Sequence, residues 1–262
     1  MTNLPTSPTN RRIRREYIIV SLLLLIPAVI ASLAFYPHYD RFTAPGDIVS
    51  VQDIGVKGSV NFCYVQEGVT SNWFERLSVE QSTPDAKFER ADASAKQELQ
   101  VDMDIGEELR DETIVNAIHS ADEQNADTSS EEDYGDKYTH LSEETASYYG
   151  DSIGLMLGIG LVEEEQQLNF SKGRKYVIAG TGTLEEDHTV GSVGAIPDKL
   201  QTAENAGVDI FFVPKDKANW AYEGLSNEEE ARQIISIMDI NRMKVVPVAT
   251  LEEALDYLHH LK

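Results

Sequence analysis

Residues 150–165, GDSIGLMLGIGLVEEE, decide how this chain is read. The ten-residue apolar run 152–161 stands between Gly150-Asp151 and the glutamates Glu163, Glu164 and Glu165. It is too short to cross a bilayer, so it is expected to be a buried helix with its N-terminus near Ser152. Downstream, residues 176–179 read as a buried strand, followed by a Gly/Thr-rich turn and a second extended stretch over 190–196. Pro197 suits the first position of a helix over 197–205, which Gly207 stops. Residues 208–213 and 244–248 read as further strands. Ser226 with Glu229 forms a capping box for a helix reaching about Met238, and Thr250 with Glu253 does the same for the last helix. Strands alternating with helices predict an α/β unit, with a mixed sheet and flanking helices.

Upstream the signals weaken. Residues 48–51 and 60–65 are strand-like around a Gly55/Gly58 break, with Val60, Phe62 and Tyr64 sharing one face. Residues 84–99 are polar and helix-permissive, and a second helix is expected over 107–119. Residues 121–145 carry nine acids against one base, which reads as a solvated loop or a disordered insert. Residues 37–45 read as a short spacer. Before them, residues 17–36 hold no charge and follow Arg11, Arg12, Arg14 and Arg15. Twenty residues span about 30 Å as a helix, the thickness of a hydrocarbon core. Basic flanks stay on the cytoplasmic side, so the expected arrangement is a cytoplasmic tail (1–16), a transmembrane helix (17–36) and an exterior domain (46–262). The competing reading is a signal peptide cleaved after the small residues ending at Ala34.

Charge and cysteine content exclude several classes. The chain of 262 residues has 22 basic and 45 acidic residues, a net charge of −23, which argues against nucleic-acid binding. One cysteine, Cys63, excludes an internal disulfide and a multi-cysteine zinc site. His259 and His260 are adjacent and point to different helix faces, so they do not suggest a metal pair. His188 reads as a surface residue, with a place at a cleft rim as the alternative. The acidic stretch lacks the Asp-x-Asp-x-Asp-Gly pattern of a calcium loop.

Two residues carry chemistry. Ser152, at the start of an apolar helix where backbone N–H groups are free, suits a nucleophile beside an oxyanion site; an N-cap role for Asp151 or Ser152 is the plain alternative. Lys199, after Val193-Gly194-Ala195-Ile196, would act as a base if burial lowered its pKa; an exposed helix lysine is the plain alternative.

Taken together these segments resemble the proteolytic domain of the Lon family. Gly150-Asp151-Ser152-Ile153-Gly154 matches its nucleophile motif and Leu155-Met156 continue it. Ala179-Gly180-Thr181-Gly182 matches an Ala-x-Thr-Gly segment, and the run from Val190 to Lys199 matches Val-x-x-Ile-Gly-Gly-x-x-x-Lys. The resemblance covers about 149–261 strongly and 45–65 weakly. It implies a catalytic dyad of Ser152 and Lys199, Thr181 positioning the lysine, and backbone around Gly150, Asp151 and Ile153 holding the oxyanion. It is most like membrane-anchored Lon-like peptidases, without a recognisable PDZ domain. It implies a serine endopeptidase acting on peptides or unfolded segments outside the cytoplasm, with no cofactor. No Gly-x-x-x-x-Gly-Lys-Ser/Thr phosphate loop occurs in the sequence, so hydrolysis is expected to be ATP-independent. Self-association is left open. Two departures stand out: Ala195 replaces a glycine, and Ile153 replaces a small residue. The second is expected to crowd the acyl site, narrowing specificity or leaving a binding module without activity.

Overall fold

The computed structural model describes residues 15–125, 131–215 and 224–261. Arg11, Arg12 and Arg14, the middle of the acidic stretch, and Lys262 lie outside the described residues. The chain runs through helix α1 (Arg15–Ala34), strand β1 (Pro37–Ser50), a single 3-10 turn (Val51–Ile54) and β2 (Asn61–Asn72). Then come α2 (Trp73–Ser82), β3 (Lys87–Arg90), α3 (Ala95–Asn125), α4 (Glu131–Glu144) and α5 (Gly154–Gln166). The last part holds β4 (Ile178–Gly180), β5 (Thr183–Leu184), β6 (Val190–Gly191), α6 (Ile196–Asn205), β7 (Ile210–Pro214), α7 (Asn227–Met238), β8 (Lys244–Val248) and α8 (Leu251–His259).

Six strands form one mixed sheet in the order β3-β1-β2-β4-β7-β8. β1 pairs antiparallel with β2 and β3, while β2-β4, β4-β7 and β7-β8 are parallel. Parallel strands need cover on both faces, and alternate side chains here enter two cores. Phe62, Ile178, Ile210 and Phe212 join a cluster with α3, α5 and α8 residues, including Ile114, Ile118, Leu157, Leu161, Leu251 and Leu255. Cys63, Ala179, Phe211 and Val213 face the other way, onto Ile196, Leu200 and Ala203 of α6 and Ala231 of α7. Helix α5 is buried from Gly154 to Glu163, which explains why its sequence is apolar all round. Glu163 is the polar exception, and its carboxylate accepts from Ser59 N and Oγ and from Phe170 N.

Several sequence expectations are corrected. Residues 37–45 are no spacer: they are the first half of β1, paired to β2 from Pro37↔Asn72 to Pro45↔Val65. The extended stretch expected over 190–196 ends at Gly191, and Ala195 turns into the left-handed region before α6. The acidic stretch is helical over its described residues, shared between the end of α3 and α4. Ile114, Ala117, Ile118 and Ala121 supply a helical stripe to the core, joined by Leu141 of α4. The helix expected over 107–119 forms as part of the 31-residue α3, whereas the one expected over 84–99 is corrected: its first part holds β3 and only its end, from Ala95, is helical.

Both caps at the C-terminal helices form, with a difference. Ser226 and Glu229 close a full box, whereas Glu253 turns its carboxylate to Ala249 N instead of the Thr250 backbone. Helix α1 is the one described helix long and apolar enough to cross a membrane, and none of its residues is buried.

Candidate active site

Lys199 is positioned by the start of α6. Ala195 takes φ 59°, turning the chain so that α6 begins at Ile196 with Pro197 in its first turn. Gly46 N, in β1, donates to Thr202 Oγ1 at 3.0 Å and ties α6 to the sheet. The lysine side chain is only 4% exposed, and its Nζ donates to Thr181 Oγ1 at 3.0 Å. Burial lowers its pKa from 10.5 to about 8, opposed by the nearby Cys63, Asp151 and Glu67.

Thr181 directly follows β4 and is fully buried. Its N–H donates to Phe212 O at 3.0 Å, and its hydroxyl donates to Ser152 O at 3.4 Å while accepting from Lys199. Gly182 N also donates to Ser152 O at 3.1 Å. The threonine therefore joins the lysine to the backbone of the serine turn.

That turn is fixed from behind. Gly150, at φ 92°, donates its N–H to Gly106 O of α3 at 2.9 Å. A Cβ at Gly106 would press on Gly150 N and Tyr149 at 3.1 Å, so a side chain there would push on the serine turn. Arg110, one turn on, is buried; its guanidinium donates to the carbonyls of Thr145 and Tyr148 at 3.4 and 3.1 Å and pairs with Asp111. Gly154 opens α5 so close to α3 and β5 that a Cβ would collide with Thr113 Oγ1 and Leu184 N.

Ser152 and Lys199 open onto one cleft of about 880 Å³, shared with Gly150, Asp151, Gly194 and Ala195. Its far wall is β2 from Tyr64 to Glu67. β4 pairs with β2 only at Asn61 and Phe62, so beyond Phe62 this edge of β2 has no neighbouring strand among the described residues. At the mouth, Lys87 of β3 pairs with Asp198 at 2.5 Å, and Tyr149 donates its hydroxyl to Glu67. Burial raises the pKa of Asp151, an effect that the Lys199 charge opposes.

Ser152, Lys199, Gly150 and Asp151 line the cleft, and Thr181 bridges two of them from behind. The Gly150 N–H is already committed to Gly106, so it is not available as an oxyanion donor. Ser152 N and Ile153 N make no hydrogen bond among the described residues. Ile153 does not crowd the cleft: its side chain is 3% exposed and packs in the apolar cluster with α5. Nor does Asp151 or Ser152 cap the helix, whose N-cap is Ile153 without a side-chain bond.

His188 lies away from the cleft, held by Ser120 Oγ at 2.7 Å and Glu123 at 3.0 Å. His259 packs on Phe170 and His260 bonds to Asp256 O, and no group of three metal-ligating side chains occurs among the described residues. Cys63 sits beneath the lysine, donating to Lys199 O at 3.6 Å, with its thiol pushed up to about 12 by burial.

Sequence reading missed Gly106, Arg110, Glu67, Tyr149 and the Lys87–Asp198 pair. Of these only Gly106 left a trace, as a glycine between the two helices expected over 84–99 and 107–119. No family model matches this chain, and no curated protein matches it.

Proposed function

We propose that the protein is a serine endopeptidase with a Ser152–Lys199 dyad, held at a membrane by α1. The observation that carries this reading is the lysine: a buried amine with a lowered pKa, joined through Thr181 to the serine turn, opening on the same cleft as Ser152. Burying an ammonium here costs more solvation than the single bond to Thr181 returns, so the position is a net cost to stability that a functional lysine would explain. In the proposed reaction, neutral Lys199 takes the hydroxyl proton as Ser152 Oγ attacks a peptide carbonyl. The unpaired N–H groups of Ser152 and Ile153 receive the oxyanion. Protonated Lys199 then gives its proton to the leaving amine, and a water activated by the neutral lysine hydrolyses the acyl-serine.

The unpaired edge of β2 beside the cleft suits a substrate bound as an added strand, which favours extended peptides or unfolded segments over folded ones. The charge-free run and the arginines before it support a cytoplasmic N-terminus with the domain outside. Protease added to spheroplasts should then degrade the domain, and full protection until lysis would reverse that orientation.

Activity is tested with residues 37–262, since a piece starting at 46 would lose half of β1. A diverse peptide library is incubated with this piece and with its Ser152→Ala and Lys199→Arg forms, and the products are read by mass. Cleavage by the wild type alone is expected. Well-folded wild type that cuts nothing would overturn the peptidase reading in favour of a binding module.

A further inference from the structure

Helix α2 leaves β2 on the side of the domain where α1 ends, and it shows three large apolar side chains to the outside. Trp73, Phe74 and Leu77 are 48%, 53% and 52% exposed. Its N-terminus is capped by side chains. Asn72 Oδ1 accepts from Glu75 N, and the Glu75 carboxylate accepts in return from Ser71 N and Asn72 Nδ2. Trp73 stacks on His38 at 3.7 Å, and Arg76 lies 5.7 Å from the indole centroid. His38 contacts Asp40 at 2.9 Å and Arg90 at 2.5 Å, and Arg76 pairs with the same Asp40 at 2.9 Å. An indole held this way beside two further exposed apolar side chains suits an apolar neighbour.

The neighbour is indicated by continuity with α1. Phe74 stands 5.5 Å from Phe35, the residue after α1, and Trp73 shares a hollow with Ile30, Leu33, Ala34 and Tyr36. The exposed apolar surface of α1 thus runs on into that of α2. We propose that Trp73, Phe74 and Leu77 form a lipid-docking face, seated at the headgroup–acyl boundary of the membrane that α1 crosses; this rests on the reading of α1 as a membrane span. Tryptophan with phenylalanine and leucine on a short helix beside a span fits that boundary.

The attraction is apolar. The one base of α2, Arg76, is engaged by Asp40 and Glu80, and the chain's net charge is −23, so anionic headgroups would repel the domain. Docking fixes the domain's tilt and holds the cleft close to the bilayer: Thr43 at its wall is about 20 Å along β1 from Pro37. Membrane-proximal segments are then the substrates within reach.

The test uses the full chain with Trp220→Phe, leaving Trp73 as the sole tryptophan, in phosphatidylcholine vesicles containing lipids brominated on their acyl chains. Flotation after an alkaline wash reads the anchor, and Trp73 fluorescence reads the docking. The expected result is flotation, at least a twofold loss of emission with bromines near the headgroups, and weak quenching by aqueous acrylamide. A second form carrying Phe74→Ser and Leu77→Ser should still float but lose bromolipid quenching. Flotation with Trp73 open to acrylamide and untouched by bromolipid would overturn the docking face alone. Equal quenching in the double variant would overturn it too, and a chain that fails to float would overturn the anchor and the docking face with it.

Discussion

Replacing Lys199 by methionine should make the protein more stable while removing its proposed base. The side chains are similar in length, but methionine carries no charge into the core. The fall of the lysine pKa from 10.5 to about 8 corresponds to about 3 kcal/mol by which burial disfavours the protonated form. Below about pH 8 the folded and unfolded chains both hold the proton, so the folded state bears this cost in full. Between about 8 and 10.5 only the unfolded chain holds it, and wild-type stability rises with pH. The methionine form has no such dependence. It also loses the bond to Thr181 Oγ1, worth about 1 kcal/mol, which leaves a net gain of about 2 kcal/mol at neutral pH. Urea unfolding of residues 37–262 measures this directly. The difference should cross zero between about pH 9 and 10 and then turn slightly in favour of wild type, which has by then regained most of the cost and keeps its bond to Thr181. A methionine form no more stable than wild type at neutral pH, or a gap that ignores pH, would refute the reasoning.

Three further outcomes are expected. Peptide cleavage should rise about tenfold from pH 7 to 9, because about a tenth of a base with a pKa of about 8 is neutral at the lower value; a flat profile would remove Lys199 as the base. Gly154→Ala puts a Cβ 2.6 Å from Leu184 N and closer still to Thr113 Oγ1, so it should cost at least about 2 kcal/mol in urea unfolding and displace the serine turn; an unchanged midpoint would contradict the packing described. Ile153→Ala truncates a core side chain, so about 2–4 kcal/mol of stability should be lost with the cleavage pattern unchanged, and a broadened pattern on the same peptide panel would show that this side chain reaches the cleft.

The parts of the fold legible in the sequence are those where burial dominates. An uninterrupted apolar run had to become the buried α5, and the stretches around Ile178, Ile210 and Val246 had to lie inside a covered sheet. The N-terminal part of β1 was illegible because it carries His38, Asp40 and Arg41, with Pro45 and Gly46 before the strand-like 48–51. Those polar groups are satisfied by Trp73, Arg76, Arg90, Glu98 and Asp102, partners far away in the sequence. Acidic side chains hid the helices around 121–145, although Ile114, Ala117, Ile118 and Ala121 already had helical spacing.

At the candidate site, Ser152, Thr181 and Lys199 stood out by spacing and resemblance. The direction of the Ile153 side chain did not, because a turn residue can face the core or the cleft and only the packing of α5 decides. Arg110 was hidden in the same way: its partners are backbone carbonyls of a loop some 35 residues on, and carbonyls leave no mark in a sequence.

The most direct measurement of the central claim is the intact mass of residues 37–262 after brief exposure to a p-nitrophenyl ester at about pH 9, where the lysine is mostly neutral, and quenching in acid. The account requires a single acyl group, mapped to Ser152, that is absent from both Ser152→Ala and Lys199→Met. Equal acylation of Ser152 in the Lys199→Met form, or a wild type that stays unmodified at Ser152, would contradict it.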